Sequence, residues 1–182
     1  MMRRLVGRLL PRADRSFKQD AGPLSPAGLF PPDRPIPYSW VLTHRLAIGP
    51  MPSCEAHWQQ LEEAGLRSRF SCCYPQEQGP AAVPAHWRSQ QFALPDHRRQ
   101  QRLDPECLAA ALDLAEQLLD EGPPLYLHCL AGIERSPLMA VGLTARRRRI
   151  DIYTALDWVR RCHPASLPIY SQLELLEQVL KS

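Results

Sequence analysis

His128-Cys129-Leu130-Ala131-Gly132-Ile133-Glu134-Arg135-Ser136-Pro137 is the stretch on which the reading of the chain turns. An apolar run, Pro124-Leu125-Tyr126-Leu127, precedes it, and a helical pattern, Leu138-Met139-Ala140-Val141-Gly142-Leu143, follows. The pattern predicts a buried strand ending at the cysteine, a tight loop, and a helix that the loop opens. Unpaired backbone N–H groups gather at a helix start and the helix dipole adds positive charge there, so the loop is suited to an anion. Gly132 lets the chain curl until successive amides converge. Arg135 brings a planar fork of donors that matches two oxygens of an oxyanion. The same field favours the thiolate of Cys129 over the thiol. A thiolate under a bound phosphate is a nucleophile placed for in-line attack. A structural cysteine near a surface arginine would share the bare spacing, but not the flanking His128, Gly132 and Ser136.

Outward from this loop, 182 residues suffice for one domain with a full core. No apolar run approaches the roughly 20 residues of a membrane span, so stable membrane insertion is not expected. Cys54, Cys72, Cys73, Cys107, Cys129 and Cys162 have no zinc-like spacing. With no secretory signal they read as reduced thiols of a cytoplasmic protein. The net charge of +3 is unevenly placed: residues 1–37 hold seven Lys/Arg against three Asp/Glu, and the remainder is nearly balanced. A nucleic-acid-binding domain would carry its own basic face, so no nucleic-acid partner is expected.

Residues 1–37 read as a flexible, basic, Pro-rich tail, and residues 38–182 as the folded domain. The tail's opening apolar patch is interrupted by Arg8 and is too short for a secretory core. Structure is expected from Tyr38, with a first strand at Arg45–Gly49. A helix over Cys54–Ala64 follows, capped by Ser53 and stopped at Gly65. Strands are expected at Arg69–Tyr74 and at Arg88–Leu94, the latter followed by an exposed polar loop over Pro95–Arg102. Asp104-Pro105-Glu106 signals a helix start, and Leu108, Leu112, Ala115 and Leu119 form its apolar stripe before Gly122-Pro123 ends it. After the central loop come a helix to about Arg148, one from Asp151 to near His163-Pro164, and a last one over Ser171–Leu180. This alternation predicts an α/β fold: a mainly parallel central sheet flanked by helices, with the signature loop between a strand and a helix at the carboxyl edge.

At His128, Cys129, Ala131, Gly132, Arg135 and Ser136 the chain resembles the protein tyrosine phosphatase superfamily, and within it the small dual-specificity phosphatases. The similarity extends from about Tyr38 to the end. The resemblance implies a phosphocysteine intermediate on Cys129. Arg135 and the amides of Leu130, Ala131, Gly132, Ile133 and Glu134 would bind phosphate. The Ser136 hydroxyl would help the thiolate depart, and His128 would support the loop. Pro137 departs from the pattern in the first helical turn, where a missing N–H costs little. The resemblance also raises a redox disulfide between Cys129 and Cys72 or Cys73, with a packed cysteine as the alternative.

Ester cleavage needs a proton for the leaving oxygen. Asp104 is explained as a helix cap. Asp96 lies in a polar loop after a strand, 33 residues before Cys129, close to the family's usual spacing, and is assigned as general acid and later base. His97 is a candidate substrate contact. Arg98, Arg99 and Arg102 border the acid loop as solvated residues or attractors of an acidic substrate. Arg146–Arg149 read as a solvated, dipole-matched helix end. The loop holds no lysine or second arginine, which favours a phosphorylated protein over a phosphoinositide, nucleotide or RNA substrate. A rhodanese-type sulfurtransferase and a phosphosite-binding pseudophosphatase are the rival readings. No metal and no cofactor is expected, and the chain is expected to be a monomer.

Overall fold

The computed structural model describes residues 32–98 and 101–181. Its elements are β1 Ser39–Leu42, β2 Leu46–Gly49, α1 Glu55–Glu63, β3 Ser68–Ser71, a 3₁₀ turn Pro75–Glu77, β4 Arg88–Gln91, α2 Pro105–Glu121, β5 Leu125–His128, α3 Arg135–Arg148, α4 Ile152–Cys162 and α5 Tyr170–Lys181. The sheet order is β1-β2-β5-β3-β4, parallel except for the β1–β2 hairpin. This is the expected α/β fold with a mainly parallel sheet. The N-terminal apolar patch and Arg99 lie outside the described residues.

β5 is central because it is apolar on both faces; all four of its residues are buried. Its neighbours hold it in register, pairing Gly49 with His128 on one side and Ser71 with His128 on the other. The signature loop therefore leaves the sheet at the middle of its carboxyl edge. Ile48, Phe70, Leu125 and Leu127 bury one face against residues of α2, α3, α4 and α5. Ala47 and Tyr126, on the other face, pack with Trp58 and Leu61 of α1 and with Leu66 and Trp87. Helix α3 is buried from Arg135 to Ala145. Gly142 makes that possible: a Cβ there would lie 2.7 Å from Leu112 and 3.0 Å from Leu176.

Several local expectations hold. Asp104 caps α2 by accepting the N–H groups of Glu106 and Cys107, and Asp151 caps α4 in the same way. Others are corrected. Ser53 does not cap α1: Cys54 is the N-cap and makes no side-chain capping bond. The Ser53 N–H instead donates to His57 Nδ1 at 3.2 Å. β1 is a strand the sequence did not announce, because its return turn runs through His44 at φ 55°, where no glycine or asparagine signals it. Residues 32–36 lie along α1: Ile36 is buried, and its N–H and C=O both bond the Gln60 amide. The basic end of α3 is not simply solvated. Arg146 pairs with Asp113 at 2.7 Å and Arg147 with Glu116 at 3.4 Å, both on α2, and Arg148 stacks on Trp158 at 3.8 Å. Among the described residues no helix is long and apolar enough to cross a membrane.

Candidate active site

The signature loop is held from outside by its carbonyls. Leu130 C=O accepts from the Met51 N–H at 3.2 Å, Gly132 C=O from His163 Nε2–H at 3.0 Å, and Ile133 C=O from the Leu167 N–H at 2.7 Å. A trans peptide sets each N–H opposite the preceding C=O. Tying these three carbonyls outward therefore turns the amides of Ala131, Ile133 and Glu134 toward the loop's interior. Gly132 takes φ +73°, and a Cβ there would lie 2.6 Å from the Gly49 carbonyl carbon and 2.8 Å from Pro50 N. The curl against the β2 turn thus needs glycine on two counts.

Cys129 lies in this ring, 2% exposed. The Ser136 hydroxyl donates to its sulfur at 3.3 Å. Burial alone would raise its pKa, but the Arg135 charge, the Ser136 hydroxyl and the amides of Ser136 and Glu134 together hold the thiol below its ordinary value. Cys72 and Cys73 show the contrast. Both are buried near the same anion; burial and the Cys129 charge push Cys72 well up and Cys73 to about 12. All six cysteines are unpaired thiols.

His128 is buried and neutral, pushed down to about 3 by burial and by the Arg69 charge. Its Nε2 accepts from Arg69 Nε at 3.1 Å, which leaves Nδ1–H to face the Cys129 carbonyl at 3.3 Å. Arg69, on β3, thereby fixes the tautomer of the residue next to the nucleophile.

Arg135 is 2% exposed, and its fork faces carboxylates. Glu77 takes both ends, at 2.7 Å to Nη1 and 3.2 Å to Nη2, and Asp96 approaches Nη2 at 3.2 Å. The carbonyls of Cys72 and Leu94 sit at 3.3 and 3.4 Å from Nη1. The Nε–H takes no part in these contacts. Asp96, expected in an exposed loop, is buried, because its charge is paired inside. Arg98 donates to it from Nε at 2.9 Å and from its backbone at 3.1 Å, and reaches Glu77 at 2.6 Å. Burial would raise the Asp96 carboxyl, but the Arg98 hydrogen bonds and the Arg135 charge outweigh it and hold the group below the usual carboxylate range.

Sequence-predicted Cys129, Arg135, Asp96, Ser136 and His128 thus meet in one place. The side chain of Leu130 does not line the pocket; it packs with Met51 and Cys73. Ile133 is 40% exposed at the rim. The Glu134 carboxylate turns to His97. Arg98 and Arg102 are both exposed, but the Arg98 guanidinium turns back onto Asp96 and Glu77. Sequence reasoning missed Glu77, Arg69, His163 and Gln172, the last of which donates to the Pro95 carbonyl beside Asp96. Each is polar in a stretch with no motif, and only the fold brings it to the site.

No protein-family model matches the chain. Comparison with solved structures is decisive for the architecture. PTPMT1 in complex with PI(5)P superposes with a TM-score of 0.68 at 17% identity, over 79% of this chain and 94% of that one. A point variant of human DUSP28 gives 0.66 at 20%, over 81% and 98%. Tk-PTP in the active form gives 0.65 at 21%, over 79% and 96%. This chain has the tyrosine and dual-specificity phosphatase fold. In that phosphatase fold the chain supplies a thiol held below its ordinary pKa, a ring of amides, a guanidinium and a carboxyl at one point, a set able to bind an oxyanion, attack it and exchange a proton.

Proposed function

We propose that this protein is a cysteine-dependent phosphomonoester hydrolase that acts on phosphorylated proteins, with phosphotyrosine as its main target. The observation that carries the reading is the environment of Cys129: a buried sulfur whose ionised form is favoured by Arg135, Ser136 and inward amides. Sulfur attacks phosphorus, the P–O bond breaks, and Asp96 gives its proton to the leaving oxygen. Asp96, again a carboxylate, then takes a proton from the water that hydrolyses phosphocysteine. Arg135 stabilises the equatorial oxygens, and Ser136 stabilises the departing thiolate. In the substrate-free molecule Asp96 is ion-paired and ionised, so a phosphate that draws Arg135 away also favours its protonation.

The phosphoprotein preference rests on charge. Glu77 and Asp96 are matched at the pocket by Arg135 and Arg98, which leaves little surplus positive charge for a headgroup bearing several phosphates. The rival substrate, a phosphoinositide, has one structural point in its favour: the similar PTPMT1 was solved with PI(5)P.

The test is chemical. Wild-type protein should hydrolyse p-nitrophenyl phosphate and yield a phosphocysteine on Cys129 after acid quench, and Cys129→Ser should do neither. Asp96→Asn should lower turnover of phenyl phosphate by about 100-fold or more, and that of p-nitrophenyl phosphate far less. Equal losses on both would refute the acid assignment. Faster release of phosphate from phosphoinositide vesicles than from phosphotyrosyl peptides would refute the substrate class.

A further inference from the structure

The residues on either side of Asp96 are each tied to a different part of the fold. Before it, the Pro95 carbonyl accepts from Gln172 Nε2 of α5 at 3.1 Å. After it, His97 is held by Glu134 of the signature loop. The His97 N–H donates to Oε1 at 2.9 Å, and its ring Nδ1–H donates to Oε2 at 2.5 Å. Glu134 is 9% exposed, and both its carboxylate oxygens are engaged by this one residue of the acid loop. The His97 side chain is otherwise 70% exposed.

We infer that Glu134 is a positioning residue that clasps the acid loop to the signature loop and fixes where Asp96 delivers its proton. The inference rests on the phosphatase reading above. Its physical basis is the double use of one residue. The backbone amide of Glu134 faces the Cys129 sulfur, while its carboxylate holds the neighbour of Asp96. Nucleophile and acid are therefore linked through a single buried residue. Hydrogen bonds to an ionised acceptor are about twice as strong as neutral ones, and a carboxylate this far buried meets little competition from water. The sequence reading used Glu134 only through its backbone amide, and the fold commits its side-chain charge to the acid loop.

General-acid catalysis contributes about 10²–10⁴-fold, and a shift of about 1 Å in a catalytic group can cost about 10²-fold. Glu134→Ala leaves the amide in place and frees the His97 side of the loop. It should lower the ratio of phenyl phosphate to p-nitrophenyl phosphate turnover by about 10- to 100-fold. Glu134→Gln, which keeps an acceptor for the His97 N–H, should recover most of that ratio. In an Asp96→Asn background, Glu134→Ala should change the ratio no further, since the group it positions is gone.

An unchanged ratio in Glu134→Ala, or a further fall in the Asp96→Asn background, would overturn the clasp. Should Glu134→Ala fail to fold, His97→Ala serves, because it leaves the signature loop intact. It should lower the same ratio by about threefold or more, and an unchanged ratio there overturns the clasp equally. If no phosphoryl group is trapped on wild-type Cys129, the underlying reading falls and takes the clasp with it. A phosphocysteine that forms while the ratio stays put sinks the clasp alone.

Discussion

Arg135 is the residue whose surroundings could not be read from its motif. Its charge is buried, and what makes that tolerable is Glu77, itself 10% exposed at the side chain and hydrogen-bonded to both terminal nitrogens of the fork. Removing one partner of a buried ion pair leaves the other unpaired, at a cost of about 3–5 kcal/mol. Glu77 also acts locally, since its Oε2 accepts the Tyr74 N–H at 2.9 Å and closes the 3₁₀ turn. Asp96 still faces Nη2 at 3.2 Å when Glu77 is gone, so Glu77→Ala should destabilise the protein by about 1–3 kcal/mol, seen as a lower urea midpoint, and should raise KM for p-nitrophenyl phosphate because the fork loses its two-point hold. A variant with unchanged midpoint and KM would mean that the pair contributes nothing in solution. Glu77 was invisible in the sequence because one glutamate in a Pro/Gly-rich loop looks like any solvated loop residue.

At the scale of elements, the signature loop is a product of its supports. β2 ends in Gly49, the turn at Pro50 presses on Gly132, and the segment after α4 lends His163 and Leu167 to the loop's carbonyls. His163 is neutral, its pKa lowered by burial, and its Nδ1 accepts from the Ser39 hydroxyl at 2.9 Å, so β1 also reaches the loop. Gly132→Ala meets both a left-handed backbone, worth about 1–3 kcal/mol for a residue with a Cβ, and a backbone wall. It should lose at least about 2 kcal/mol of stability and most of its activity. Gly65 supplies the comparison. It has φ +87°, but a Cβ added there would meet nothing within 4 Å, so Gly65→Ala should lose only about 1 kcal/mol and keep its turnover. Thermal unfolding of the two variants, run beside the phosphatase assay, separates contact from conformation. Equal behaviour of both would show that the approach to Gly49 is unimportant.

For the whole molecule, the buried ionisable groups act in the same direction as acid is added. Folded His128 titrates at about 3, against 6.5 for the free side chain. As pH falls from 6.5 toward 3 the unfolded chain binds a proton that the folded one refuses, so stability declines across that window. Asp96 and Glu77 are held below the usual carboxylate range. Their contribution is complete above the unfolded value and is lost as pH falls through the folded one. Urea midpoints should therefore fall steadily from pH 6.5 downward, well before the surface carboxylates titrate, and His128→Asn should flatten the upper part of that slope. A midpoint that stays level down to the carboxylate range would contradict the buried, neutral His128.

Much of this protein was written locally. The apolar run into Cys129, the glycine in the loop, the caps at Asp104 and Asp151 and the stripe of α2 each act over a few residues, so their order alone specifies strand, loop and helix and hence the parallel sheet. The nucleophile and its arginine were legible for the same reason: one turn of backbone carries both. What only tertiary structure decided is which distant polar side chains close around that turn. Glu77, Arg69, His163 and Gln172 come from widely separated parts of the chain, and the way they pair exists only because packing removes water. In a buried space an unpaired charge is costly and a matched one is fixed in place, whereas along the chain the same residues are merely hydrophilic.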